Sequence, residues 1–181
     1  MSKFTSNVMH ETKMTGAGRF TLLTVLLVAA ALVCQANAPG RMTGGGSIFQ
    51  GSLRITHGFE IHCGPNDIPP GTGFGEPNNL EINWAGNHYH MDDLIFGVCT
   101  TDADHSPNPP NAGFTTFDGA GFGSYNGEAG ARVSFRFTDY GEPGTSDLIV
   151  RLTIVDVHGT VVLDLTTPTA LTFGNHQAHA H

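Results

Sequence analysis

Two pairs of histidines at alternate positions are the residues of this 181-residue chain best suited to chemistry. His88 and His90 are separated by one residue, as are His179 and His181 at the C-terminus. Side chains at positions i and i+2 of a β-strand share a face, so each pair can direct two imidazoles the same way. Imidazole is a common ligand of copper and zinc. The spacing predicts a copper or zinc site formed by these four histidines.

A second interpretation of the same histidines needs no metal. In it, His90 packs or hydrogen-bonds at a strand edge, and the terminal histidines lie in solvent. If a metal site does form, His57 or His62 is a candidate for a further ligand. No spacing in the chain matches a known zinc module, so the sequence leaves both interpretations open.

Acidic residues in two loop-like segments suggest calcium. Asp102 and Asp104 lie in TTDAD, and Asp139, Glu142 and Asp147 lie in TDYGEPGTSD. Closely spaced carboxylates suit calcium, which takes about six to eight oxygen ligands. Neither segment matches the EF-hand pattern, and the second set of residues is equally typical of turns. Calcium binding and turn formation are therefore both expected alternatives.

The sequence shows no pattern typical of a catalytic centre. Serine and threonine residues are scattered, without the turn motif that exposes a nucleophile. Glu60, Glu81 and Asp92 would form a glycosidase acid and base only if the fold brought two of them together. We expect no enzymatic activity, and the only cofactors that the sequence suggests are calcium, copper or zinc.

The N-terminal segment is typical of a secretory signal peptide. Three basic residues precede an apolar run over residues 20–33, which is too short to span a bilayer core of about 30 Å as a helix. We predict that residues 1–38 are removed, with cleavage after Ala36 or Ala38, and that translation starts at Met1 or Met14. An uncleaved membrane anchor is the alternative.

Removal of that segment leaves a strongly acidic protein. The net charge of the whole chain is −8, and residues 39–181 keep five arginines, no lysine and fifteen acidic residues, a net charge of −10. Such a surface cannot follow a phosphate backbone or an anionic membrane, so we expect neither as a partner. Cations, other surface or matrix proteins, and self-association remain possible partners.

Cys63 and Cys99 are the two cysteines outside the signal segment. An even pair in an exported protein predicts a disulfide, and each of the two ends an apolar run that reads as a strand. A reduced, metal-binding pair is the alternative. Together with the signal segment, the pair predicts a location outside the cytoplasm: extracellular, on the cell surface or in the periplasm.

The elements that must position these residues are β-strands. In ARVSFRFT, for example, Val133, Phe135 and Phe137 alternate with polar residues, the period-two pattern of a half-buried strand. Similar alternation covers residues 53–63, 80–84 and 147–157, and the His158-Gly159 pair predicts a tight hairpin turn. No stretch of useful length has helical periodicity.

These patterns predict an all-β protein, an antiparallel, jelly-roll-like β-sandwich of about eight to ten short strands. Residues 39–52 are expected to form a flexible glycine-rich lead-in, residues 53–177 the sandwich, and residues 178–181 a histidine-containing tail. Two long connections, residues 64–79 and 100–114, are expected to be surface loops.

Several phrases resemble an uncharacterised bacterial β-domain family. PNNLEINW, YNGEAGA, FTDYGEPG and GNHQAH are the motifs that carry the resemblance, which covers most of residues 41–179. Domains of this type occur at the C-terminal end of secreted and cell-surface proteins, in some cases after choice-of-anchor modules. The resemblance implies an extracellular β domain and no particular activity. We therefore expect a secreted, non-catalytic module with a structural or binding role at the cell surface or in the extracellular matrix, with metal binding as the alternative.

Overall fold

The computed structural model describes residues 40–64, 77–101 and 112–180. These residues form ten strands and one short 3₁₀ turn at Gly144–Ser146. The strands are β1 (Gly40–Gln50), β2 (Leu53–Cys63), β3 (Asn79–Trp84), β4 (Asn87–Thr100), β5 (Thr116–Tyr125), β6 (Glu128–Thr138), β7 (Leu148–Val155), β8 (Val161–Leu165), β9 (Thr169–Ala170) and β10 (Phe173–Ala180). The predicted all-β class and the number of strands are confirmed.

All strands belong to one antiparallel sheet in the order β10-β1-β2-β3-β4-β5-β6-β7-β8, with β9 also paired to β7. The order is sequential from β1 to β8, and β10 returns to pair with β1. Phe59 on β2 stacks on Phe137 on β6, with ring centroids 4.8 Å apart. Four strand spacings of about 4.8 Å separate those strands along a flat sheet. The sheet therefore curves so that its inner face packs on itself, which gives the sandwich-like core.

The core is lined by alternate residues of the strands, as the period-two pattern requires. Val133, Phe135 and Phe137 are all buried, and arginines or a serine alternate with them on the outer face. The same alternation buries the inner faces of β2 and β3. The inner face thus supplies the apolar surface whose burial stabilises the fold.

The glycine-rich segment is a strand, which corrects the prediction of a flexible lead-in over residues 39–52. β1 pairs with β10 on one side and with β2 on the other. A Cβ atom at Gly46 would lie 2.2 Å from the Phe173 carbonyl oxygen, and one at Gly44 would lie 2.6 Å from that of Asn175. Glycine is needed here because the backbones of β1 and β10 approach closely, so its abundance signals proximity rather than flexibility.

The C-terminal boundary also differs from the prediction. Residues 178–180 were expected to be a tail, but they continue β10 and pair with residues 40–42 of β1. β4 is one long strand with two irregularities in its register to β5. The expected loops over residues 64–79 and 100–114 fall mostly outside the described residues.

No helix in the described part of the chain is long and apolar enough to cross a membrane.

Candidate functional site

His88 and His90 lie on the outer face of β4, as their spacing predicted. Glu81 on β3 is directly opposite His90 in the register. One carboxylate oxygen of Glu81 contacts His88 Nε2, and the other contacts His90 Nδ1. Asp92 approaches the opposite nitrogen of His90, at 3.6 Å. Glu81 therefore holds both imidazoles in place, a partner that the histidine spacing alone did not reveal.

The electrostatics of this outer-face cluster follow from those contacts. Burial raises the pKa of the Glu81 carboxyl, but hydrogen bonds and charge interactions with His90 and His88 outweigh it and leave the pKa below its ordinary value. Each imidazole is directed at a different carboxylate oxygen rather than at a common point. Consistently, no group of three or more His, Cys, Asp or Glu side chains within residues 40–64, 77–101 and 112–180 is arranged to hold a metal ion.

The structure does not bring His179 to His88 and His90. His179 lies on β10, where its Nε2 is 3.0 Å from the Thr43 hydroxyl. In the sheet, β1, β2 and β3 lie between β10 and β4, and no described contact joins His179 to His88 or His90. Among the described residues, His179 therefore does not join His88 and His90 in a common cluster, and His181 lies outside the described residues.

His57 and His62 do not complete that site either. His57 points into the core from β2 and is 6% exposed. His62 is five residues further on and so belongs to the opposite face of β2. Gly58 is the β2 residue paired with Glu81, and His62 is four residues beyond it, about 13 Å along the strand.

The histidine that the spacing argument overlooked is His176, which is fully buried. Its Nε2 lies 2.7 Å from His57 Nε2, and its Nδ1 lies 3.2 Å from the Thr138 carbonyl oxygen. The two imidazoles sit among Phe59 and Phe137, with ring centroids 5.1 to 5.9 Å apart. This buried pair joins β2, β6 and β10 at the centre of the core.

The hydrogen bonds fix the protonation of this pair. His176 Nδ1–H donates to the Thr138 carbonyl, so its Nε2 accepts a hydrogen bond from His57 Nε2–H. Burial lowers the pKa of His57 to about 4. Burial, and then the charge of His57, lower the pKa of His176 to about 3, partly opposed by the Thr138 carbonyl. Both rings are neutral near pH 7, and His57 Nδ1 is buried without a hydrogen-bond partner.

The aspartates predicted as calcium ligands bind the backbone of β10 instead. Asp147 accepts hydrogen bonds from the N–H of His176 at 2.6 Å and of Tyr140 at 2.8 Å. Asp139 accepts them from the N–H of Ala178 at 2.8 Å and from Gly141 at 2.7 Å. The side chains are 0% and 7% exposed. Their carboxylate oxygens are occupied by N–H donors, which supports the turn-forming alternative.

Glu142 completes this contact between the β6–β7 connection and β10. Its carboxylate accepts hydrogen bonds from the side chains of Asn175 at 2.9 Å and Gln177 at 3.4 Å. Successive N–H groups of an antiparallel strand point to alternate edges, so these acids cover the edge of β10 that faces away from β1. Covered edges do not pair with other chains. The other calcium candidates, Asp102 and Asp104, lie outside the described residues.

Asp147 is the acid most affected by its surroundings. Burial raises its pKa to about 7, although the backbone N–H groups of His176 and Tyr140 lower it. The nearby charges of Asp139 and Glu142 raise the pKa further. Ionised Asp147 is therefore tolerated only because two N–H donors face its oxygens, so the residue is structural rather than a free acid or base.

Cys63 and Cys99 form the predicted disulfide. The bond ties the end of β2 to β4, with the two Cα atoms 5.8 Å apart. Both cysteines are almost fully buried, at 1% and 2% exposure. Cys63 and Cys99 directly precede residues 64–79 and 100–114, the two segments for which the sequence predicted long loops. The bridge links β2 and β4, which are separated by β3 in the sheet.

The candidate catalytic acids each have a partner among the described residues. Glu60 pairs with Arg41 at 3.1 Å on β1, whereas Glu81 is engaged by the two histidines. No contact joins Glu81 or Asp92 to Glu60 among the described hydrogen bonds and ion pairs. These contacts give the carboxylates stabilising partners on the outer face.

A shallow groove of about 360 Å³ lies on the outer face of β4 to β7. Its lining is mostly apolar and includes Ile95, Ala120 and Val155, with Arg132 and Ser134 as the polar side chains. Concave apolar surfaces with a few polar groups are the usual form of small-molecule sites. The groove was not apparent from the sequence because its residues come from four different strands.

Comparison with known proteins gives this chain no family. No family model, no curated protein and no solved structure matches it. The resemblance to secreted bacterial β domains therefore stays a prediction.

Proposed function

We propose that this protein is exported and acts outside the cytoplasm as a non-catalytic β module with a binding or structural role at the cell surface or in the extracellular matrix. The Cys63–Cys99 disulfide is the observation that carries the proposal. Disulfides form and persist mainly in oxidising compartments and are rare in the cytosol. The N-terminal basic and apolar pattern supports the same location, because it is typical of a secretory signal.

The rest of the architecture suits a module that must keep its shape outside the cell. Aspartates cover the edge of β10, which limits unwanted strand pairing. On the outer face, Glu60 is engaged by an arginine and Glu81 by two histidines. A rigid sheet of this kind presents a fixed outer surface, on which binding costs little conformational ordering.

Export can be tested by expressing the whole chain and a chain without residues 1–38 in a bacterium, and by denaturing each cell fraction in the presence of a thiol-blocking reagent, which then reaches the buried Cys63 and Cys99. We expect the whole chain in the exported fraction with no reactive thiol at Cys63 or Cys99, and the shortened chain in the cytoplasm with reactive thiols. Recovery of the whole chain in the cytoplasm with both thiols reactive would contradict the proposal.

A second candidate function is binding of copper or zinc at His88, His90 and Glu81. The observation that favours it is that one carboxylate engages both imidazoles on an accessible face. A metal ion would have to replace both imidazole–carboxylate contacts and rotate the three side chains toward one point. Neutral imidazole is the ligand form, so acidification would weaken binding.

Titration calorimetry with copper and zinc separates this candidate from non-specific binding. If the site exists, the His88→Ala/His90→Ala variant should lose the affinity of the parent. A chain truncated after Gln177 is the matched control and should keep it, because His179 lies on a distant strand. Equal affinity in all three proteins would exclude a site at His88 and His90.

A further inference from the structure

Arg132 is set apart from the other arginines of the fold by its lack of a partner. Within residues 40–64, 77–101 and 112–180 it makes no hydrogen bond or ion pair, whereas Arg136 and Arg151 on the same face share Asp118, at 3.3 and 3.4 Å. The remaining two arginines of this part of the chain are also hydrogen-bonded. In a chain of net charge −8, a cation without a counter-ion is an unusual feature.

Arg132 lies at the groove on the outer face, where its charge is available to a ligand. In the register it lies between Phe122 on β5 and Val155 on β7, and it is exposed at the groove of about 360 Å³. Phe122 is 42% exposed, so the position paired with Arg132 on β5 carries an apolar ring that is open to solvent. Ser134 lies two residues further along β6 on the same face and also lines the groove.

The composition of the groove restricts its ligand. Ile95, Ala120 and Val155 offer apolar walls, which favour burial of hydrocarbon. The unpartnered guanidinium offers several N–H donors in a planar fork, which match a carboxylate. A cationic ligand would meet Arg132 as a like charge, and a purely polar one would gain nothing from the walls.

We propose that this groove binds a small anionic amphiphile, a carboxylate on an apolar chain. The carboxylate bonds the Arg132 guanidinium and accepts a hydrogen bond from the Ser134 hydroxyl, and the apolar chain lies across Ile95, Ala120 and Val155. This inference rests on the binding role proposed above and names the chemical class of its ligand. It requires neither a metal ion nor export.

Octanoate is a suitable probe, measured by titration calorimetry with purified, disulfide-bonded protein below the concentration at which the probe aggregates. Octan-1-ol and octylamine have the same chain with a neutral and a cationic head. We expect saturable binding of octanoate to one site, weaker binding of octan-1-ol, and none of octylamine. Arg132→Gln should weaken octanoate binding by about tenfold, the usual effect of losing a charge-assisted hydrogen bond, and should leave octan-1-ol unaffected.

Arg151→Gln is the matched control, since it removes an arginine from the same face that already has a carboxylate partner. It should leave octanoate affinity unchanged. The proposal is overturned if octanoate does not saturate, if octylamine binds equally well, or if the two arginine variants lose affinity equally. A second copy of this chain is the alternative occupant of the groove, and sedimentation of the parent and of Arg132→Gln tests it. A lower molecular mass for the variant than for the parent would identify the groove as an interface between copies and would overturn the proposal. Export and thiol protection are measured separately, so a failure here leaves the proposed location intact.

Discussion

Acidification is expected to destabilise this protein through the buried pair of His57 and His176. Both imidazoles are neutral in the fold, and their pKa values are lowered to about 4 and about 3 by burial. In the unfolded chain a histidine has a pKa of about 6.5. Between pH 6.5 and the folded values, the unfolded chain therefore binds protons that the folded chain excludes. Stability is fully present above pH 6.5 and is lost as the pH falls through this window.

The size of the effect follows from the width of the window. Each pH unit over which the unfolded chain holds one extra proton costs about 1.4 kcal/mol. From pH 6.5 to pH 5 a single buried histidine thus accounts for about 2 kcal/mol of lost stability. Asp147 acts in the opposite sense, because its pKa is raised to about 7 in the fold and its protonation stabilises the fold as the pH falls below that value. The free energy of unfolding that the parent loses on acidification is therefore smaller than the loss due to the buried histidines alone.

The His57→Phe variant isolates that contribution, since phenylalanine keeps an aromatic ring beside Phe59 and Phe137 and cannot be protonated. Asp147 is present in both proteins, so its contribution cancels in the comparison. Urea unfolding at pH 8, 6.5 and 5, followed by the fluorescence of Trp84, gives the free energy of unfolding of each protein with the disulfide intact. We expect the parent to lose about 2 kcal/mol more than the variant between pH 8 and pH 5.

The control is His158→Gln, which replaces a histidine whose side chain is 72% exposed. Its pH profile should follow that of the parent. Parallel profiles for the parent and His57→Phe would refute the reasoning, because they would mean that protonation of the buried pair does not oppose folding.

Three further predictions concern the edges and the cross-link of the sheet. Gly46→Ala should destabilise the pairing of β1 with β10, because its Cβ would lie 2.2 Å from a carbonyl oxygen, while Gly58→Ala, with nothing within 4 Å, is the control in thermal melts. Asp139→Asn should cost about 1 to 3 kcal/mol in urea unfolding and speed hydrogen exchange on β10, because one backbone N–H loses its acceptor; unchanged exchange would contradict the edge contact. Replacing Cys63 and Cys99 by alanine should cost up to about 4 kcal/mol, and an unchanged urea midpoint would contradict a stabilising bridge.

The strands and the disulfide were predictable because they depend on local patterns. Alternation over β2 and β6 identifies their buried faces directly, and Cys63 and Cys99 were the only pair left for a bridge. β1 was misjudged since a glycine run lacks side chains, and with them the alternation that marks a strand. Only the packing against β10 shows why glycine is required there.

The site was harder to predict because its contacts depend on register and on the curvature of the sheet. His88 and His90 share a face as expected. Their partner is Glu81 rather than His179, because β3 is the strand that pairs with this part of β4. His57 on β2 and His176 on β10, which are 119 residues apart in the chain, meet across β1, and curvature brings Phe137 on β6 against both. No local spacing contains that information. The acidic residues of the β6–β7 connection were recognised, yet their carboxylates are occupied by the backbone of β10.

The intact mass of the exported chain tests the central claim most directly. The account predicts a protein that begins at Asn37 or Pro39, and whose mass rises by two protons when the Cys63–Cys99 bond is reduced, with no free thiol detected beforehand. A mass that retains Met1 or Met14, together with titratable thiols in the folded, unreduced protein, would contradict the account.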